Sequence, residues 1–261
     1  MATRSSIPAA LLVTVVLFGS RTSSQAQAGT PFTKEHWNGH FGAIGGINTK
    51  GQFVPIGSAF VFGPKKEIIT CAHVVQSPVA NKLTNWVYAT QGLPYLTLKL
   101  EKFVQQYDFA VFTTDGDIPG EPMPIGEFKQ IHPGDFVWYY GYDSQFSAKI
   151  KGNGAYMNHT MVEATGVLRG DNGTLFDFLE FEGHAIPGYS GGPVFNDKAE
   201  LVAIMWQAWN WQGVKGGPKR LINRAFSIEP LLFSEEPDKY TGSNSNKVSM
   251  SVTTPPDVLK R

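Results

Sequence analysis

The sequence predicts an all-β protein, a sandwich or a barrel, on three observations. Short apolar or alternating runs recur with turn residues between them, helix signals are weak, and 28 glycines and 17 prolines punctuate the 261 residues. The runs fall at 41–47, 57–62, 67–71, 86–89, 96–102 and 109–113. After a proline-bounded stretch at 119–124 the series resumes at 136–140, 156–167, 175–181, 194–195 and 201–206. Runs such as 96–102 and 175–181 alternate apolar with polar, as a strand with one wet face does. Others, such as 109–113 and 201–206, are apolar almost throughout, as a buried strand is. The helix candidates are a turn at 72–76 and a short closing helix at 229–233.

Residues 1–28 stand outside this pattern. Arg4 gives a positive start, 7–19 is a largely apolar run, and Ala26-Gln27-Ala28 offers small residues around a cleavage point. That is the layout of a secretory signal peptide, and the run is short for a membrane span of roughly 20 residues. An uncleaved anchor is the alternative. The mature chain is expected to begin at Gly29, to be secreted or periplasmic, and to keep no stable membrane association. It divides at 119–124 into two expected lobes, 29–121 and 122–233, and residues 234–261 read as a disordered polar tail.

Formal net charge is zero, with 22 basic and 22 acidic residues. No long stretch favours either sign, so nothing argues for a nucleic-acid partner or an acidic membrane surface. Cys71 is the single cysteine, which excludes an intrachain disulfide. In its apolar segment it reads as a small buried hydrophobe, without the spacing of a metal site.

Three segments carry chemistry. Thr70-Cys71-Ala72-His73 places a histidine at a strand end, and Tyr107-Asp108-Phe109-Ala110-Val111 places a carboxylate against an apolar run. Pro187-Gly188-Tyr189-Ser190-Gly191-Gly192-Pro193 places a serine in a glycine-rich turn. A serine hydroxyl is a weak nucleophile until a base takes its proton, and a carboxylate can orient that base. Burying Asp108 would be costly unless it is paired, which sets it apart from Asp115 and Asp117 in a turn. The glycines allow the sharp turn that aims backbone N–H groups at one point, and Gly188 and Ser190 are the candidate donors of an oxyanion hole.

Gly188-Tyr189-Ser190-Gly191-Gly192 also fits the nucleophile elbow of α/β-hydrolases. In those enzymes the histidine follows the serine, and here all six histidines precede Ser190. That fold is excluded.

With the three segments in this order, the chain resembles the trypsin-like, chymotrypsin-fold serine peptidases. It looks most like the disulfide-poor bacterial branch of HtrA and V8-type enzymes. Thr70 to Val75, Asp108 to Val111 and Pro187 to Val194 match the family's motifs, as do Gly57-Ser58-Ala59-Phe60 and Glu200-Leu201-Val202-Ala203-Ile204. The resemblance runs over roughly 38–233. It implies two six-stranded antiparallel β-barrels with a short C-terminal helix and an active site between them. His73 would be general base, Asp108 its orienting acid and Ser190 the nucleophile, acting on protein or peptide substrates without metal or organic cofactor.

Two departures bear on regulation. Tyr189 stands where digestive members carry an aspartate that pairs with a newly cut N-terminus, so that switch is expected to be absent. HtrA enzymes carry PDZ domains, whereas the 28 residues after Phe233 are largely polar.

For specificity the resemblance points to His184, Ala203, Met205 and Trp206 around the substrate pocket. His184 could favour an acidic side chain or be a plain surface histidine. Trp206, Trp209 and Trp211 could line one strand face or form a ledge for extended substrate. Asn158-His159-Thr160 and Asn172-Gly173-Thr174 fit the N-glycosylation sequon. The rival functions are a non-catalytic binding protein on the same fold and an esterase-like hydrolase.

Overall fold

Residues 39–90, 94–118, 122–143, 155–170, 173–212 and 219–232 are described by the structure, a computed structural model. The expected signal peptide and polar tail lie outside them.

Seven strands come first: β1 (Phe41–Ile47), β2 (Phe53–Phe62), β3 (Glu67–Cys71), β4 (Thr84–Ala89), β5 (Leu96–Thr97), β6 (Lys99–Val104) and β7 (Phe109–Thr113). They form one antiparallel sheet in the order β5-β4-β1-β2-β3-β7-β6. The two edge strands are consecutive in sequence, with only Leu98 between them. Its N–H donates to the Trp86 carbonyl at 2.8 Å, which prolongs the β4–β5 ladder. Counted as one strand kinked at Leu98, β5 and β6 curl the sheet into a six-membered ring. The kink explains the extra strand relative to the sequence expectation.

Six more strands follow: β8 (Phe136–Tyr142), β9 (Ala155–Arg169), β10 (Leu175–Glu182), β11 (Pro193–Asn196), β12 (Leu201–Trp211) and β13 (Arg220–Ser227). They close a barrel in the order β10-β13-β12-β11-β8-β9. Two four-residue helices complete the fold, α1 (Ala72–Val75) and α2 (Glu229–Leu232). The all-β, chymotrypsin-type double barrel is the architecture expected from the sequence. Among the described residues, no helix is long and apolar enough to cross a membrane.

β13 is an addition to the sequence reading. Its two arginines interrupt the apolar residues, and the structure shows how they are accommodated. The Arg224 guanidinium lies 4.6 Å from the Phe178 ring centroid and 4.9 Å from that of Trp209, and it pairs with Glu180. Arg220 pairs with Glu163 and Glu182. Carboxylates and rings from neighbouring strands thus take up charges that break the alternation.

One buried cluster fills the first sheet and continues into the second barrel through Tyr140, Phe195, Phe226 and Ile228. Phe41 joins the halves, with its ring 4.7 Å from Tyr140 and 5.6 Å from Phe195. A second cluster lies within the C-terminal barrel, around Tyr139, Phe181, Val194 and Met205. Burial of this apolar surface on both sides of the boundary holds the halves together. The chemistry-bearing segments meet at that boundary.

Candidate functional site

β3 ends at Cys71, and the chain turns at once into α1, which carries His73. Asp108 sits between a 3₁₀ turn (Gln105–Tyr107) and β7, with φ 58° and ψ 35°. Aspartate tolerates this left-handed conformation better than most residues. β3 and β7 are paired, and the Ala72 N–H donates to the Asp108 carbonyl at 2.7 Å. Strand pairing therefore brings the two segments into contact.

The carboxylate binds His73 twice. Its Oδ2 lies 2.5 Å from His73 Nδ1, and its Oδ1 accepts the His73 backbone N–H at 2.8 Å. Asp108 is 4 % exposed, whereas the His73 side chain is 40 % exposed. A buried carboxylate held at both oxygens fixes the ring, requires Nδ1 to carry the proton, and leaves Nε2 as the basic nitrogen.

Ser190 lies on the turn from 187 to 192. Gly188 has φ 108° and Gly191 φ 86°, values that side chains rarely adopt. A Cβ on Gly191 would also collide with the Ser58 carbonyl and the Thr70 hydroxyl. The turn is tied down from within: Gly192 N–H donates to the Tyr189 carbonyl at 2.9 Å, and Tyr189 N–H to the Ile186 carbonyl at 3.1 Å. The N–H groups of Gly188 and Ser190 make no hydrogen bond to described residues. The Ser190 hydroxyl donates to the Trp206 carbonyl at 3.1 Å rather than to the imidazole.

A cavity of about 310 Å³ opens beside Ser190. Ala185, Ile186 and Pro187 form one wall, and Met205, Trp206 and Leu221 contribute to the other. Of the pocket residues read from the sequence, Met205 and Trp206 line this cavity. Ala203 is fully buried in the barrel core, and His184 is exposed and outside the lining. Among the described residues, none lining the cavity carries a charge.

Cys71 Sγ, a His73 ring nitrogen and an Asp108 oxygen lie within 4.8 Å of one another, the one candidate metal-binding set among the described residues. Its donors are already engaged. Burial, with the Asp108 charge nearby, pushes the Cys71 thiol well above its usual pKa, and the protonated thiol donates to the Met205 carbonyl at 3.3 Å. Nδ1 and Oδ2 bind each other. The set is a poor fit for a metal that needs a thiolate and a free imidazole nitrogen.

Residues 57–204 match the family model described as the trypsin-like peptidase domain, more than half of the chain. The chain belongs to the trypsin-like peptidase family. Solved structures share its fold. The HtrA-type protease AlgW with a decapeptide is 21 % identical, with a TM-score of 0.55 over 69 % of this chain and 50 % of that one. AlgW with a tripeptide is 19 % identical, at 0.58 over 76 % and 59 %. The MamO protease domain from Magnetospirillum magneticum is 17 % identical, at 0.52 over 75 % and 95 %. This trypsin-like chain therefore spans about half the length of the first of these structures.

One residue of the site escaped functional assignment from sequence. Ser58, within the Gly57-Ser58-Ala59-Phe60 motif, contacts the serine turn from the other half of the molecule. Its motif was visible, but a contact 130 residues away was not.

Proposed function

We propose that this chain is a secreted serine endopeptidase whose His73, Asp108 and Ser190 cleave peptide bonds through an acyl-enzyme. The carrying observation is the doubly bonded His73–Asp108 pair, which leaves Nε2 as the basic nitrogen, and a glycine-braced turn that carries Ser190 supports the same reading. On this reading the Ser190 hydroxyl leaves the Trp206 carbonyl and passes its proton to Nε2 as Oγ attacks the substrate carbonyl. The unengaged N–H groups of Gly188 and Ser190 receive the developing oxyanion, and the imidazolium returns its proton to the leaving amine. Water then hydrolyses the ester by the same route. Catalytic hydrogen bonds in unliganded sites are often unmade until substrate arrives, which accommodates the Ser190–Trp206 bond. The signal-peptide pattern of residues 1–28 supports export.

The substrate is an extended polypeptide with an apolar side chain before the scissile bond. β12 pairs with β11 only through Ile204, and Met205 still exchanges hydrogen bonds with Gly191 and Gly192. Among the described residues, it is from Trp206 onward that β12 has a single strand partner and offers an edge beside Ser190 for strand addition. A charged side chain in the cavity would lose its hydration without an opposite charge among the described residues. Cleavage of a peptide library, with products read by mass spectrometry, tests both points. Cuts after leucine, valine or phenylalanine that vanish in Ser190→Ala support the reading. Cuts after lysine or glutamate would refute the pocket assignment, and cuts persisting in Ser190→Ala would refute the nucleophile.

A binding protein on the same fold is the second reading, favoured by the serine hydroxyl's bond to Trp206 instead of His73. It predicts peptide capture with no turnover.

A further inference from the structure

We infer that Ser58 is a positioning residue for the oxyanion turn, acting from the N-terminal sheet across the boundary onto the C-terminal barrel. The inference rests on the peptidase reading above and adds a residue that does not touch the reacting atoms.

Ser58 lies in β2, is fully buried, and uses each of its polar groups. Its hydroxyl accepts the Tyr142 N–H, from the end of β8, at 2.8 Å and donates to the Gly188 carbonyl at 2.7 Å. Its backbone N–H donates to the Ser190 carbonyl at 2.9 Å. Its own carbonyl accepts the Thr70 hydroxyl at 2.7 Å. One residue thus grips the carbonyls on either side of Tyr189 and links them to β8.

The consequence for the turn follows from peptide geometry. A trans peptide is planar, with its C=O and N–H pointing in opposite directions. Holding the Gly188 carbonyl fixes the Tyr189 N–H, which lands on the Ile186 carbonyl. Between that peptide and the next, the Tyr189 carbonyl is fixed by Gly192 N–H, which sets the direction of the Ser190 N–H. Every carbonyl from Gly188 to Ser190 therefore has a partner, and the two unengaged N–H groups are the ones an oxyanion needs. Gly188, at φ 108°, has little steric resistance to rotation of its peptide. The Ser58 hydroxyl supplies the restraint that the glycine lacks. Because it both receives and donates, the Tyr142–Ser58–Gly188 chain is strengthened by mutual polarisation.

Ser58→Ala removes the hydroxyl and leaves the backbone bond to Ser190 in place. The expected result is a kcat lowered about 10- to 100-fold, below or at the loss of one whole oxyanion donor, with KM within about 3-fold. Amide hydrogen exchange should rise at Tyr142 and Tyr189, whose bonds the hydroxyl secures. Tyr88→Phe, which deletes a buried hydroxyl bond to the Gly39 carbonyl and leaves the contacts of the serine turn in place, is the control for plain loss of stability. It should lower the melting temperature with kcat within about 3-fold of wild type.

Unchanged kcat in Ser58→Ala, or a kcat loss shared equally by Tyr88→Phe, would overturn the positioning role. So would unchanged exchange at Tyr142 and Tyr189. Wild type that shows no turnover would refute the peptidase reading instead, and faster exchange at those two amides in Ser58→Ala would still uphold the restraint on the turn.

Discussion

Asp108 combines burial, a left-handed backbone and two hydrogen bonds to one histidine, a costly combination unless the carboxylate is needed charged and in place. Asp108→Asn keeps the shape but favours the other imidazole tautomer. Turnover should fall about 10⁴-fold, while labelling of the fold by circular dichroism stays native. A loss below 10-fold would mean that the pair is structural.

Cys71 offers a contrasting test at the same scale. Its thiol is buried and its ionisation disfavoured, so iodoacetamide should leave the native protein unmodified and react after denaturation. Fast alkylation of native protein would contradict the packing beneath His73.

Tyr189 sets a pH limit. Burial pushes its phenol up to about 12, and burial also raises Tyr88, Tyr139 and Tyr140. The unfolded chain ionises its tyrosines near 10, so above that pH it binds fewer protons than the folded chain. Stability from these phenols is complete below about pH 10 and is lost as pH rises toward 12. Denaturation by urea at pH 8, 10 and 11 should show a midpoint that falls only above pH 10. A midpoint that rises over this range would contradict the assignment.

At the scale of elements, a row of rings links the two halves beneath the site. Tyr107, next to Asp108, lies edge-on to Phe176 of β10 at 5.8 Å. Phe176 lies 5.0 Å from Phe226 of β13, which stacks at 4.4 Å on Trp206, the residue whose carbonyl holds the Ser190 hydroxyl. The row packs the Asp108 turn against the strand that carries Trp206. Phe176→Ala should destabilise by about 3 kcal/mol, read from urea unfolding, and a cost under 1 kcal/mol would show the row to be loosely packed.

The same elements show what a sequence can and cannot disclose. β3, β7 and the serine turn were legible because each motif is local: a β-branched or apolar run ending in a polar residue, or glycines around a serine. β13 was not, because its arginines become acceptable only against Glu180, Phe178 and Trp209 from other strands. His184 and Ala203 were attached to the pocket by their distance along the chain from the serine and the pocket strand. The turn exposes the first, and β12 points the second into the core. Ser58 was inside a recognised motif, yet its role arises from a contact between halves.

For the molecule as a whole, the division of labour is clear. On the proposed reading, the N-terminal sheet holds the base His73 and the acid Asp108 through the β3–β7 pairing, and the C-terminal barrel holds the nucleophile Ser190 and the cavity. Function on this account depends on the boundary, where Phe41 packs on Tyr140 and Phe195 and Ser58 reaches the serine turn. The central claim is that His73 activates Ser190 across it. Its most direct test is intact-mass analysis after treatment with a fluorophosphonate, run on wild type, Ser190→Ala and His73→Ala. The account predicts one adduct on wild type, mapped to Ser190, absent in Ser190→Ala and strongly slowed in His73→Ala. Folded wild type that takes no adduct, or His73→Ala that labels at the wild-type rate, would contradict it.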